Sequence, residues 1–477
     1  MSLAGSAVGE NVKFMDTHLT ANKRAEKPLF SGLQPASAWL AILGFVVFSG
    51  VCAFAGFGKV LNFAFPGGAF LVGLFLYFRY PILYVGFCWW IWFLAPLVRR
   101  YADFRSGFTE PSPILLAPYF VTLISLVTIL RSLPTAKRRG SLPFLLSLSG
   151  VVYGFLVGVI KVSLVAASVR SLEWLAPIVL GHHLFINWRD YPEQRQNIQT
   201  VFLWGVLITG SYGVYQYLVA PEWDTSWLIN TDLRSAGTPE PQGLRVWSTM
   251  HGPGVFASVM MAGLLLLLTN VKTLGFPAMA VGYLSFLLSL VRSLWLGWLV
   301  GLLNLAVFLK PKFQVRLVVI IAVAALCVVP LTVIEPFSEV ISGRLDSLSN
   351  LEGDTSSTDR QATYQTLLGP ALTNVIGDGI KSGEIYDSAI LETLISLGWI
   401  GSTFYVSGLL LLLLRLVGST QIRGDSFAST ARAITIAMFS QVLFGSSMLG
   451  LPGMILWGFM GIGLAAQKFY DRPTSST

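Results

Sequence analysis

Two residues in this chain carry the chemistry of a base, and each opens an apolar segment. Asp387 follows the polar hinge Asp378-Gly-Ile-Lys-Ser-Gly-Glu384 and starts a long apolar block. A carboxylate there suits proton abstraction, and it equally suits a helix N-cap. His251 stands in Met250-His251-Gly-Pro-Gly254, where Pro253 and Gly254 start a helix. Its imidazole suits an acid, a base or a hydrogen-bond donor, and a structural role fits as well. A set of cations shares their side of the apolar blocks: Arg99, Arg100, Arg105, Arg170, Arg234, Arg245, Arg292, Arg344 and Arg360, with Lys59, Lys161 and Lys381. Planar guanidinium forks bind phosphate or carboxylate in a bidentate manner, so the set points to an anionic ligand. The competing reading is pairing with nearby acids: Asp103, Glu110, Glu173, Asp224, Asp232, Asp346 and Asp359. Arg292, in Ser289-Leu-Val-Arg-Ser-Leu-Trp-Leu-Gly297, is the sharpest case, because a charge between two apolar blocks is expensive and usually functional.

The elements that must position these residues are membrane helices. Hydrophobic residues make up 54% of the chain and charged residues 12%, against about 25% charged in an ordinary soluble domain. The apolar residues fall in blocks of roughly 17–25, the length that crosses a bilayer. Candidate spans cover 37–57, 60–78, 81–98, 113–131, 143–165, 172–187, 199–219, 250–269, 274–291, 293–309, 316–334, 388–415, 431–448 and 451–467. The expected fold class is an all-α polytopic membrane protein of about 12–14 transmembrane helices. The 172–187 block is weak, and 388–415 reads as a half-helix followed by a full span. No secretory signal is expected at the N-terminus, since polar residues precede the first block and no small-residue cleavage site follows it.

Lysine and arginine in the short loops set the orientation. Lys23, Arg24, Lys27, Lys137, Arg138, Arg139, Arg189, Arg195, Lys310, Lys312, Arg316, Arg415, Arg423 and Arg432 fall on one side with both termini, if the number of spans is even. That side is expected to be cytoplasmic. Segment 1–35 is then a cytoplasmic N-terminal segment, 36–467 a single transmembrane domain and 468–477 a cytoplasmic tail. The opposite face carries two long loops, about 220–249 and 335–387, the second with a helix-compatible stretch from Asp359 to Leu368. Loops this long in a compact protein are usually functional or disordered. The net charge of +8 serves topology and contact with anionic lipid, not nucleic acid, since no basic stripe with interleaved aromatics is present.

Several chemistries are excluded. There is no GxxxxGK[ST] loop, HExxH or GxSxG elbow, and no Asp-x-Asp pair for a metal-bound nucleotide sugar. Cys52, Cys88 and Cys327 lie far apart in apolar blocks, which argues against a disulfide or metal framework. His182 and His183 read as packing residues near a span end.

Four segments, in order across roughly residues 200–465, resemble the O-antigen polymerase/ligase family (Wzy/WaaL-like). They are Arg245-Val-Trp-Ser-Thr-Met-His-Gly-Pro-Gly-Val-Phe-Ala257, Ser289 to Gly297, Arg344-Leu-Asp-Ser-Leu with Asp359-Arg360 and Leu368, and Asp387-Ser-Ala-Ile-Leu-Glu-Thr-Leu-Ile-Ser-Leu-Gly398-Trp-Ile-Gly401. In the family's late signature a His-Asn or Asp-Asn pair opens a helix. Here those positions are Asp387 and Ser388, and the Asp form is nearest the exopolysaccharide-polymerase branch, as is Ala95 to Gly107. The resemblance implies a GT-C-like membrane glycosyltransferase of the bacterial inner membrane, with a large periplasmic loop and a periplasmic active site. It implies polymerisation of undecaprenyl-diphosphate-linked oligosaccharide repeat units without a metal or other cofactor. Its partners would be the lipid-linked donor, the glycan acceptor and membrane lipids, with a flippase and a chain-length regulator alongside.

On that reading the leaving diphosphate needs cations, and Arg245, Arg292 and Arg360 come first, with Arg170 and Arg344 next. The acceptor hydroxyl needs a base, Asp387 first and His251 second. Trp223, Trp227 and Glu240 are expected to contact glycan. Two alternatives stay open: an O-antigen ligase, which shares the donor chemistry, and a polysaccharide or small-anion transporter, whose helices are often broken.

Overall fold

The computed structural model describes residues 35–231, 233–269, 274–308, the short stretches 314–315, 318–319 and 321–322, then 355–381, 388–419 and 421–471. Arg344 and Asp387 lie outside the described residues, and so does the side chain of Arg360. Among the described residues the architecture is all-helical, with one isolated bridge between Gly237 and Leu244 in place of any strand.

In chain order the helices are α1 (Ala36–Phe54), α2 (Gly58–Arg79), α3 (Pro81–Ser106), a broken span α4 (Pro113–Arg139), α5 (Leu142–Lys161), α6 (Leu164–Ile186), α7 (Tyr191–Val219), α8 (Glu222–Thr231), α9 (Pro253–Thr269), α10 (Gly275–Leu288), α11 (Arg292–Phe308), α12 (Thr355–Thr373), α13 (Ala389–Gly418), α14 (Ser426–Phe439) and α15 (Gly450–Tyr470). Among the described residues nine of these, α1 to α7, α13 and α15, are long and apolar enough to cross a membrane. Helices α9, α10 and α11 are shorter apolar helices. The chain is therefore a multi-pass membrane protein. Every span expected from the sequence has a helix except 316–334, which lies mostly outside the described residues.

Several boundaries differ from the sequence reading for physical reasons. Helix α6 begins at Leu164, eight residues before the expected 172, because Ser163 caps it and Arg170 neutralises Glu173 at 2.5 Å. The paired charges cost the helix little. The span over 113–131 is not one helix. It breaks into short α and 3-10 turns through Arg139, where the Thr122 and Ser125 hydroxyls bond back to the carbonyls of Pro118 and Thr122. Helix α15 continues through Tyr470, so Lys468 belongs to it and not to a tail. The long block at 388–415 is indeed divided: Gly398 is non-helical, with φ 61 and ψ −175, splitting a short first segment from the span that follows. The stretch Asp359 to Leu368 lies within α12, and α9 starts at Pro253 as expected.

Packing follows burial. Helix α15 is the centre, with every residue from Gly453 to Ala466 buried, whereas α1 turns Leu40, Val47 and Phe54 outward toward the lipid. Without water to drive helices together, close approach rests on small residues. A methyl group on Gly181 of α6 would stand 2.5 Å from the Trp457 carbonyl oxygen of α15, and one on Gly461 would collide with Gly181. On α5, Gly150, Gly154 and Gly158 form a stripe against α13 and the irregular segment 374–381. His182 and His183 are packed as expected: the His183 ring meets Thr128 at 2.7 Å and lies beside Tyr77 and Tyr84, while His182 packs on Phe144. Cys52 and Cys88 are buried thiols, and Cys327 lies outside the described residues.

Helix α7 runs between two chemically distinct ends. At its start Arg195 pairs with Asp425, and nearby Lys468 donates to the Arg139 carbonyl and Arg415 to that of Gly140. Among the described residues, the basic segments around 139, 195, 415 and 468 thus share one end. At the last turn of α7, Gln216 meets Asp224 and the backbone around Ser248, at the opposite end.

Candidate functional site

The loop 247–251, just ahead of α9, is held from below by side chains of α3, α7 and α8. Arg100 on α3 pairs with Asp224 on α8 at 2.8 Å, and both are fully buried. The same guanidinium donates to the carbonyls of Met250 at 2.7 Å and Ser248 at 2.5 Å, and it lies against the rings of Trp227 and Trp247. Gln216 accepts from the backbone N–H groups of Trp247 and Ser248 and donates to Asp224 at 2.6 Å. Tyr212 also donates to Asp224, at 2.8 Å. A buried ion pair is tolerable when its remaining donors and acceptors are satisfied in this way. Ser248 takes a positive φ of 54, a conformation uncommon for a side-chain-bearing residue, and its hydroxyl bonds the Thr209 carbonyl.

His251 stands above this platform with its side chain exposed. Crowding by the surrounding protein and the positive charges of Arg99 and Arg100 hold its pKa below the ordinary histidine value. The imidazole is neutral at physiological pH and able to accept a proton. Arg99 is committed to Asp103 at 3.1 Å and Glu110 at 2.5 Å.

Arg245 clasps the neighbouring turn. It donates to the carbonyls of Leu290 at 3.1 Å, Ser289 at 3.4 Å and Ser235 at 2.8 Å, while Val246 N–H bonds Leu288. Leu290 is itself in a positive-φ conformation, φ 56, which the clasp supports. Two residues on, Arg292 starts α11, half-buried. The segments around 245 and 292, far apart in sequence, therefore form one unit.

Arg170 on α6 bridges two carboxylates, Glu173 at 2.5 Å and Glu392 at 2.8 Å. Glu392 is buried in the first turn of α13 and also bonded by Ser446. Tyr119 lies beside Arg170 and Glu173. The N-cap of α13 is Ser388, which accepts from Leu391 N–H and from the Tyr364 hydroxyl at 2.7 Å. The capping role considered for Asp387 is filled at Ser388, whose hydroxyl meets the third N–H of the helix, that of Leu391.

For Arg99, Arg100 and Arg170 the pairing with nearby acids is what occurs. Trp227 is buried under Arg100, and Trp223, half-buried, packs on Tyr101 while donating to Tyr212. Glu240 is exposed. Sequence reasoning passed over Gln216 and Glu392. An acid in the apolar run Ala389-Ile-Leu-Glu-Thr-Leu was the available signal for Glu392. Among the described residues no group of three or more His, Cys, Asp or Glu side chains is placed to hold a metal ion. In comparisons with known proteins, the sequence matches no protein-family model and no curated protein.

Proposed function

We propose that this chain is a membrane glycosyltransferase that polymerises undecaprenyl-diphosphate-linked oligosaccharide repeat units, on a GT-C-like scaffold, at the outer face of the bacterial inner membrane. The observation that carries the reading is the clasp of Arg245 on Ser289 and Leu290. It joins two of the segments that resemble the O-antigen polymerase/ligase family, at the end of the bundle away from the lysine-rich loops. In the reaction an acceptor hydroxyl oxygen bonds to the anomeric carbon of the donor, and the carbon–oxygen bond to the diphosphate breaks. Undecaprenyl diphosphate leaves with that electron pair, and the hydroxyl proton passes to a base. Asp387 remains the first candidate for that base. A neutral His251 on a rigid loop is the second. Arg245 and Arg292 flank one turn where developing phosphate charge would be met, with Arg360, Arg344 and Arg170 as further candidates. Termini in the cytoplasm and the reaction on the periplasmic side agree with the basic loops at the other end.

The break at Gly398 favours a second reading, a transporter, since discontinuous spans are common there. One assay separates the two. Purified protein is given lipid-linked oligosaccharide, and released undecaprenyl diphosphate and product length are measured. Release with chain growth is expected for a polymerase, and release with a single transfer to a foreign acceptor indicates a ligase. An intact donor, moved across vesicles or not, overturns the enzyme reading.

A further inference from the structure

At the lysine-rich end, two cations stand over two aromatic rings and two more lie close by. Lys468, in the last turn of α15, places its ammonium 4.8 Å from the Phe185 ring and 5.8 Å from Trp188, and donates to the Arg139 carbonyl at 2.9 Å. Arg189 lies over the other interaction partner, Trp188, at 4.9 Å. Arg415, from the end of α13, donates to the Gly140 carbonyl at 3.2 Å, and Gly140 itself adjoins the Phe185 ring. Arg139 ends α4 and is exposed.

The acids at this end do not balance the cluster. Asp425 is taken by Arg195, by the hydroxyls of Tyr191 and Tyr470, and by the N-terminal N–H groups of α14. Its pKa is lowered despite burial, through hydrogen bonds from Tyr191 and Tyr470 first. Among the described residues Asp190 lies beside Arg189 with Glu193 close to it, and Asp471 closes α15 three residues after Lys468, fewer acids than the cations gathered here. The charged neighbours of Lys468 are Arg139 and Arg189, both of its own sign. Like charges gathered around a half-buried ammonium repel one another unless an anion sits among them. The cluster stands where spans end and where a tryptophan marks the interfacial level of a bilayer.

We propose that Arg139, Arg189, Arg415 and Lys468 form a specific site for the phosphate of an anionic phospholipid headgroup, with the Phe185 and Trp188 faces against its glycerol and upper acyl region. Arginine forks supply bidentate phosphate contacts and the lysine a point charge. Basic pockets between spans are the usual form of such sites. The occupant is taken to be a lipid and not free phosphate because the cations stand on aromatic rings at a span terminus.

The test uses the full chain purified in detergent, with native mass spectrometry in mixed micelles of phosphatidylglycerol and phosphatidylcholine. Wild type is expected to retain phosphatidylglycerol preferentially. The pair Arg139→Gln with Lys468→Gln should lose roughly thirty-fold in that preference, from about a five-fold effect per charge near the surface. The pair Lys137→Gln with Arg138→Gln removes the same charge from exposed neighbours outside the cluster and should lose clearly less of the preference than the first pair. Arg189→Gln, at an exposed position, gives a second reading if the first pair unfolds. Equal loss in the control pair, or equal retention of both lipids by wild type, overturns the proposal. So does inorganic phosphate that displaces phosphatidylglycerol at millimolar concentration, since the site would then be for a free anion.

Discussion

Arg100 and Asp224 meet at 2.8 Å with both side chains closed off from solvent, and the same guanidinium holds the carbonyls of Ser248 and Met250. Asp224→Asn would leave a buried guanidinium without its counter-charge, which costs about 3–5 kcal/mol. Arg100→Gln would strand the carboxylate and free two loop carbonyls as well. Either variant should lower the unfolding midpoint of the purified protein markedly. A change below about 1 kcal/mol would show that the pair is not closed to water.

His251 titrates with the sign of a group whose folded pKa is depressed. The unfolded chain takes up a proton near pH 6.5, whereas the folded chain does so only at a lower pH. Protonation therefore favours the unfolded state, and the stability present above pH 6.5 is lost as pH falls below it. His251→Gln should remove part of the drop in unfolding midpoint between pH 7.5 and pH 5. Parallel curves for variant and wild type would mean that His251 titrates normally in the fold.

Gly398 needs its missing side chain twice over. Its φ of 61 with ψ of −175 is a conformation open essentially to glycine, and a methyl group there would collide with the backbone of Ile376 and Gly377. Gly398→Ala should cost roughly 3 kcal/mol or more, read as reduced folded yield and a lower unfolding midpoint. Gly369→Ala, at a position with nothing within 4 Å, is the matched control and should be near neutral.

Arg245→Lys keeps the charge and loses the fork. One ammonium cannot reach the carbonyls of Ser235, Ser289 and Leu290 together. Loss of about two hydrogen bonds suggests a destabilisation of about 1–3 kcal/mol. Under the proposed function, release of undecaprenyl diphosphate should also fall by roughly ten-fold or more. An enzyme of full activity with the lysine would separate Arg245 from the reaction.

Asp387→Ala should abolish polymer while leaving the protein folded, because Ser388 and not Asp387 caps α13. The measurement is polymer length in a strain without the wild-type copy. Full-length polymer there would remove Asp387 from the mechanism.

Much of this architecture is written in the chain itself. Apolar runs of bilayer length place the helices, and Pro253 places the start of α9. The two buried histidines were readable as packing because their surroundings in sequence are apolar. The excess length of the 388–415 block marked a divided span, and the structure puts the division at Gly398. These are local properties, set by hydrophobicity and by backbone freedom, so one dimension suffices to carry them. Pairing is different. Nothing in the sequence says that Arg100 takes Asp224, that Arg170 takes Glu392 across from α6 to α13, or that Arg245 spends its donors on the backbone of Ser289 and Leu290. Those choices depend on which helices lie side by side and on how far each is rotated. A charge in an apolar block announces that it must have a partner, and only the tertiary structure decides which one.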